Sequence, residues 1–224
     1  MTEAERLTSS DLLEMTNTLR ERNLVWFCKR KFRLFAAACV RRVWCHLTRN
    51  ESIAAVELSE RAADHKVPEQ DLLIAVGLAD DAAVEIDNSC ENQKDPRIWA
   101  AYAALVGSHH SMDIDKTLEA AFFSSDIGEG GRAAVADLLR EIAGNPFHLH
   151  SIDLSNLTDT VASLAKAAYE RNEPSGHLDP MRLAILADAL EDAGSNDTHI
   201  LSHLRSFGPH VRGCWALDLI LGKC

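Results

Sequence analysis

None of the apolar runs in this 224-residue chain is long enough to span a bilayer, and each is soon broken by charge. The opening residues, Met1 to Leu7, are charged and lack the apolar core of a secretory signal. Glycine and proline are sparse, at 11 and 6 residues, which leaves little room for long loops. Cysteines stand at 28, 39, 45, 90, 214 and 224 without a regular disulfide spacing. Cys39, Cys45 and Cys214 fall inside apolar helical patterns. The six therefore read as reduced thiols, and the expected compartment is the cytoplasm. A phosphate-binding glycine loop, a dinucleotide fingerprint and a nucleophile elbow are also missing. Membrane insertion, a disulfide scaffold and the commonest nucleotide-dependent activities are thereby disfavoured.

What is present suits an ordinary globular protein. A chain of this length buries roughly 70% of its unfolded surface, so it needs neither disulfides nor a metal to fold. The net charge is −11, unevenly spread. Positions 20, 22, 29, 30, 31, 33, 41, 42 and 49 are Lys or Arg against the single acid Glu21, so residues 20–49 carry +8 and the remainder −19. Such asymmetry fits an anionic partner contacted through Lys29, Arg30, Lys31 and Arg33, nucleic acid included. It fits equally a basic helix docked on acidic ones within the fold, and the lack of a recognisable nucleic-acid module favours the second.

Apolar residues recur at intervals of three and four throughout, which predicts an all-α fold of ten or eleven helices. Ser10 is placed to cap a helix carrying Leu12, Met15 and Leu19. A stripe of Phe32, Phe35, Cys39, Val40, Val43 and Leu47 marks a helix from about Lys29. Others are predicted from Glu51 to His65 and from Pro68 to Asp87. Asp95-Pro96 and Asp179-Pro180 are start signals, an aspartate cap followed by proline in the first turn, with Gly208-Pro209 a weaker relative. Gly144-Asn145-Pro146, Gly194 and Gly222 are stops. Gly128-Glu-Gly-Gly131 is the best boundary. The expected organisation is an N-terminal block (1–67), an Ala-rich middle (68–127) and a C-terminal block (128–224) that packs on the first.

The candidate chemistry concentrates near the C-terminus. His199 and His203 are spaced to share a helix face, as zinc-binding histidine pairs are. Ile200 stands where a metalloprotease helix needs glutamate, so that motif is broken. A zinc site from His203, His210, Cys214 and Cys39 or Cys45 is the alternative to buried thiols and chance histidines. His210, Cys214 and Asp218 recur at intervals of four along one expected helix, where a Cys–His pair would meet only side by side. Val40-Arg-Arg-Val-Trp44 and Val211-Arg-Gly-Cys-Trp215 echo each other. They suggest a cluster of Arg41, Arg42, Trp44, Arg212 and Trp215, with Asp188 and Asp192 as carboxylates able to pair with such arginines.

The segments Phe32–Trp44, Asp137–Phe147, Ile185–Gly194 and Gly208–Lys223 resemble the signature blocks of a protein family expanded in planctomycete bacteria. The resemblance covers roughly residues 1–65 and 130–224. It implies kinship and a middle of variable length, but no activity. From the residues themselves, the expected function is a non-enzymatic helical interaction or regulatory scaffold with a protein partner and no cofactor. The alternatives are a Cys/His metal-binding protein holding zinc, hydrolytic or otherwise, and a binder of an anionic ligand or nucleic acid through residues 29–42.

Overall fold

The computed structural model describes residues 1–21, 28–65, 67–111, 113–128, 130–148, 151, 153, 156–170 and 176–223. Arg22, Glu129 and Cys224, used in the reasoning above, lie outside the described residues. Among the described residues the chain forms α1 (Glu3–Thr8), α2 (Leu12–Glu21), α3 (Lys29–Arg42), α4 (Asn50–Asp64), α5 (Glu69–Ser89) and α6 (Pro96–Gly107). It continues with α7 (Ile114–Ser125), α8 (Gly131–Ala143), α9 (Asp159–Glu170), α10 (Pro180–Asp192), α11 (Thr198–Leu204) and α12 (Trp215–Leu221). A 3-10 turn, Trp44–His46, follows α3. No strand occurs among the described residues; sheet-like pairing is limited to one antiparallel bridge, His177 with Val211. The all-α expectation holds. Twelve helices exceed the expected ten or eleven because elements such as the six-residue α1 are too short to display periodicity.

The helix ends follow from side-chain chemistry. Asp95, Asp113, Asp179 and Asp197 each accept a backbone N–H from the first turn of the helix they cap. α2 starts differently from expectation: Asp11 Oδ1, not Ser10, accepts the Glu14 N–H at 3.0 Å. A carboxylate is the stronger acceptor, and Ser9 Oγ orients it by accepting the Asp11 N–H at 3.0 Å. Gly208-Pro209 is not a helix start. Its peptide bond is cis, the chain stays non-helical through Cys214, and α12 begins only at Trp215.

Helix α3 is the axis of the molecule, packing against α4, α6, α7 and α8. One face sets Phe35 and Cys39 against Met15, Leu139 and Ile142. Another sets Ala37 and Val40 against Val56, Ala100 and Ala104. Helices α9 to α12 build their own core from Leu183, Leu186, Leu190, Ile200 and Leu217. α5 lies on α4 and α6. No helix among the described residues is long and apolar enough to cross a membrane.

Candidate metal centre

Four donors converge where α8, α11 and the segment before α12 meet. Glu141 occupies the last turn of α8, three residues after the core residue Leu138, so helical spacing carries its carboxylate inward. Gly144 ends that helix at φ 67°, and a Cβ there would lie 3.0 Å from the Trp215 ring. His203 comes from the last turn of α11. His210 comes from the non-helical run, held by the Leu178 N–H donating to its carbonyl at 2.8 Å. Gly208 is required there: at φ 94°, a Cβ would stand 2.5 Å from the His210 nitrogen. Cys214 caps α12. His210 and Cys214 are thus not neighbours on one helix, and the objection to their meeting face to face disappears.

The geometry is tight. Glu141 Oε2 is 3.2 Å from His203 Nε2, and Glu141 Oε1 is 3.2 Å from His210 Nδ1. His203 Nε2 is also 3.3 Å from Cys214 Sγ. One donor atom from each of the four residues lies within 4.8 Å of all the others. Zinc held tetrahedrally at its usual N, O and S distances separates its ligands by about 3.3–3.8 Å. The His203–Cys214 contact and each single Glu141 contact are near that separation. The two Glu141 contacts use different oxygens, however, and the four donors lie only within 4.8 Å of one another, so an ion would draw them closer.

Orientation permits the same reading. His210 Nε2 faces Ser206 twice, 3.1 Å from its carbonyl oxygen and 3.2 Å from its hydroxyl, so it can donate to the first or accept from the second. Nδ1 turns toward the Glu141 carboxylate. With a proton on Nδ1, that N–H donates to Glu141 at 3.2 Å; with the proton on Nε2, the Nδ1 lone pair is open to a cation. Metal-bound histidines commonly donate their other N–H to a carbonyl in this way. Trp215 packs against the His203 ring, centroids 4.9 Å apart, and fixes it from the other side.

Burial and charge oppose each other here. Burial raises the Glu141 carboxyl, but hydrogen bonds and charge from His203 and His210 outweigh it and hold the group well below the usual carboxylate range. Burial favours neutral His210, yet Glu141 outweighs it and lifts the imidazole above its ordinary value. The Cys214 thiol is pushed well up by burial and by the Glu141 charge, against help from the Leu217 and Ala216 N–H groups. Without an added cation it stays a thiol; a coordinated ion makes it a thiolate. Beside the cluster opens a cleft of about 500 Å³ lined by Glu141, His203, Ser206 and Trp215.

The other residues singled out from sequence are placed elsewhere. Cys39 is fully buried on α3 among Phe35 and Leu139, its thiol raised to about 12 by burial, and Cys45 is exposed; neither belongs to the four-residue cluster. His199 lines the cleft and stacks on His148 at 5.5 Å. Trp44 and Trp215 fall in separate core clusters, stacking on Arg41 at 3.9 Å and on His203. The two echoing arginines meet on one helix instead. Arg41 pairs with Glu60 at 2.7 Å and Arg212 approaches Asp64 at 3.9 Å, one turn apart on α4. Arg42 donates to the carbonyls of Ser124 and Ile127. Asp188 pairs with Arg205 on the surface, and Asp192 is exposed.

The basic helix is largely spent inside the molecule. Arg30 bonds Asp64 at 2.8 Å, Asp218 at 2.7 Å and the Tyr169 hydroxyl at 2.7 Å. Lys31, 1% exposed, reaches Asp218 at 2.5 Å and donates to the carbonyls of Gly213 at 2.6 Å and Ile142 at 3.2 Å. Arg33 donates to Ser59 and to the His109 and His110 carbonyls. Lys29 alone of the four is exposed.

Glu141 is the member of the cluster that sequence reasoning missed. Its charge suggests a solvated face, but its position in the Val135, Leu138, Ile142 stripe was the available signal. No protein-family model, curated protein or solved structure matches the chain.

Proposed function

We propose that this protein binds one transition-metal ion of the zinc class through Glu141, His203, His210 and Cys214. The observation that carries the reading is the convergence of two imidazoles, a thiol and a carboxylate, with one donor atom of each within 4.8 Å of the others. The donor set is borderline-soft, two nitrogens, one sulfur and one oxygen, and suits zinc over magnesium or calcium, which prefer oxygen. In this role the ion ties α8, α11 and the start of α12 together. The interaction-module expectation has less behind it. Leu73, Ile74 and Leu78 are exposed on α5, but nothing about them selects a partner.

A second reading is favoured by the cleft, which reaches Glu141 and His203. There His203, His210 and Cys214 would hold the ion, and Glu141, released from the ligand set, would be placed to act as general base. The ion would supply activation of water near neutral pH. The chemistry is then hydrolysis of a small ester or amide.

Substitution with cobalt(II) tests the site. Tetrahedral coordination with a thiolate gives intense visible bands and a sulfur-to-cobalt charge-transfer band in the near ultraviolet. Both are expected in the wild type, with the charge-transfer band lost in Cys214→Ser. A weak octahedral spectrum, unchanged in that variant, contradicts the assignment.

A further inference from the structure

The cleft beside the four donors is also lined by Arg6, from α1. Arg6 is 3% exposed, and its Nε and Nη2 are buried without a hydrogen-bond partner. These two atoms form one edge of the guanidinium, the edge whose parallel N–H groups match the two oxygens of a carboxylate or phosphoryl group. Leaving that edge unmet is costly, because a buried charge without partners gives up its hydration for nothing. Burial, with the nearby Arg140 charge, pulls Arg6 down to about 10.

No neighbouring group relieves the deficit. Arg140 occupies itself with the carbonyls of Arg6 and Ser9 and with Asp137, and so adds positive charge beside Arg6. Glu141 is engaged by the two histidines. The Arg140 contacts also hold the end of α1 against α8, which keeps the Arg6 side chain at the cleft.

We infer that Arg6 is the recognition group of an oxyanion site at this cleft, its guanidinium pairing with the carboxylate or phosphoryl group of a small ligand that displaces the atoms now closing over Nε and Nη2. The site stands apart from the metal reading, since neither Arg6 nor its test involves the ion. It adds a ligand class to the cleft: small molecules with a terminal oxyanion, seated beside His199, Ser202 and Trp215.

The test uses metal-free full-length protein, titrated calorimetrically with inorganic phosphate and separately with acetate at constant ionic strength. Wild type is expected to bind at least one of them, and the tighter binder identifies the group as phosphoryl or carboxylate. Arg6→Met is expected to bind at least tenfold more weakly while melting at or above the wild-type Tm, because it removes an unpaired buried charge. Binding of neither anion to wild type overturns the inference, as does undiminished binding to Arg6→Met. Lost binding with a lowered Tm also overturns it, because Arg6 is then part of the packing.

Discussion

Lys31 and Asp218 sit 2.5 Å apart with side chains 1% and 0% exposed, 187 positions apart in the chain and joined through a buried network. The same ammonium donates to the carbonyls of Ile142 and Gly213, the residues after Glu141 and before Cys214. Two of the four candidate ligands are thereby hung on one buried cation. Asp218 also takes Arg30, which carries the network on to Asp64 and Tyr169.

Removing the Asp218 charge is therefore expected to be severe. Asp218→Asn leaves Arg30 and Lys31 buried and short of an anion, a loss of about 3–5 kcal/mol. Urea unfolding of the variant checks it; a loss below about 1 kcal/mol means that the network is not holding the fold.

Asp64 gives the network a pH signature. Burial raises its carboxyl, but hydrogen bonds from Tyr169, Arg30 and Lys223 outweigh it and lower it from 3.8 to about 2. A depressed folded-state value means that the unfolded chain takes up a proton first as pH falls. The contribution of Asp64 is thus complete above about pH 4 and lost progressively from there toward pH 2. Asp64→Asn is expected to flatten that part of the stability curve in acid urea titrations. An unchanged acid limb assigns the loss to other carboxylates.

With Arg30, Lys31 and Arg33 committed inside and Lys29 left as the exposed member of the four, binding to nucleic acid through residues 29–42 is expected to be absent. Fluorescence anisotropy with a labelled duplex at low and moderate salt checks this. Affinity that falls steeply with salt would restore the anionic-partner reading.

Gly144 separates the metal site from generic packing. Gly144→Ala strains a position at φ 67° and drives a Cβ to 3.0 Å from Trp215, which packs on His203. The expected cost is about 1–3 kcal/mol, with weakened zinc affinity because the His203 ring loses its support. Chelator competition alongside melting curves reads both; reduced stability with wild-type zinc affinity shows that the ring is positioned without Trp215.

Much of the fold was legible from residue chemistry. Asp95-Pro96, Asp179-Pro180, Gly144 and Gly222 carry local rules that hold regardless of context, and the helix starts and stops they predict appear as expected. Three of the four candidate ligands, His203, His210 and Cys214, were visible as residue types. Their arrangement was not. Gly208-Pro209 has the composition of a helix start, and only the folded chain shows a non-helical run through Cys214 that frees His210 from the helix. Cys39 entered the candidate set as a residue type, and its apolar setting already pointed to the buried thiol that it is on α3. The Val-Arg-x-x-Trp echo is real as sequence, but the pairing it encodes runs through carboxylates on α4, a tertiary fact that no spacing reveals.

The most direct measurement is zinc stoichiometry by elemental analysis of untagged protein purified without chelator, run beside His210→Ala and Cys214→Ser. The account predicts about one zinc per wild-type chain, a fall in Tm when chelator removes it, and loss of bound zinc in both variants. Protein that carries no metal, and whose Tm does not move on adding zinc, contradicts it.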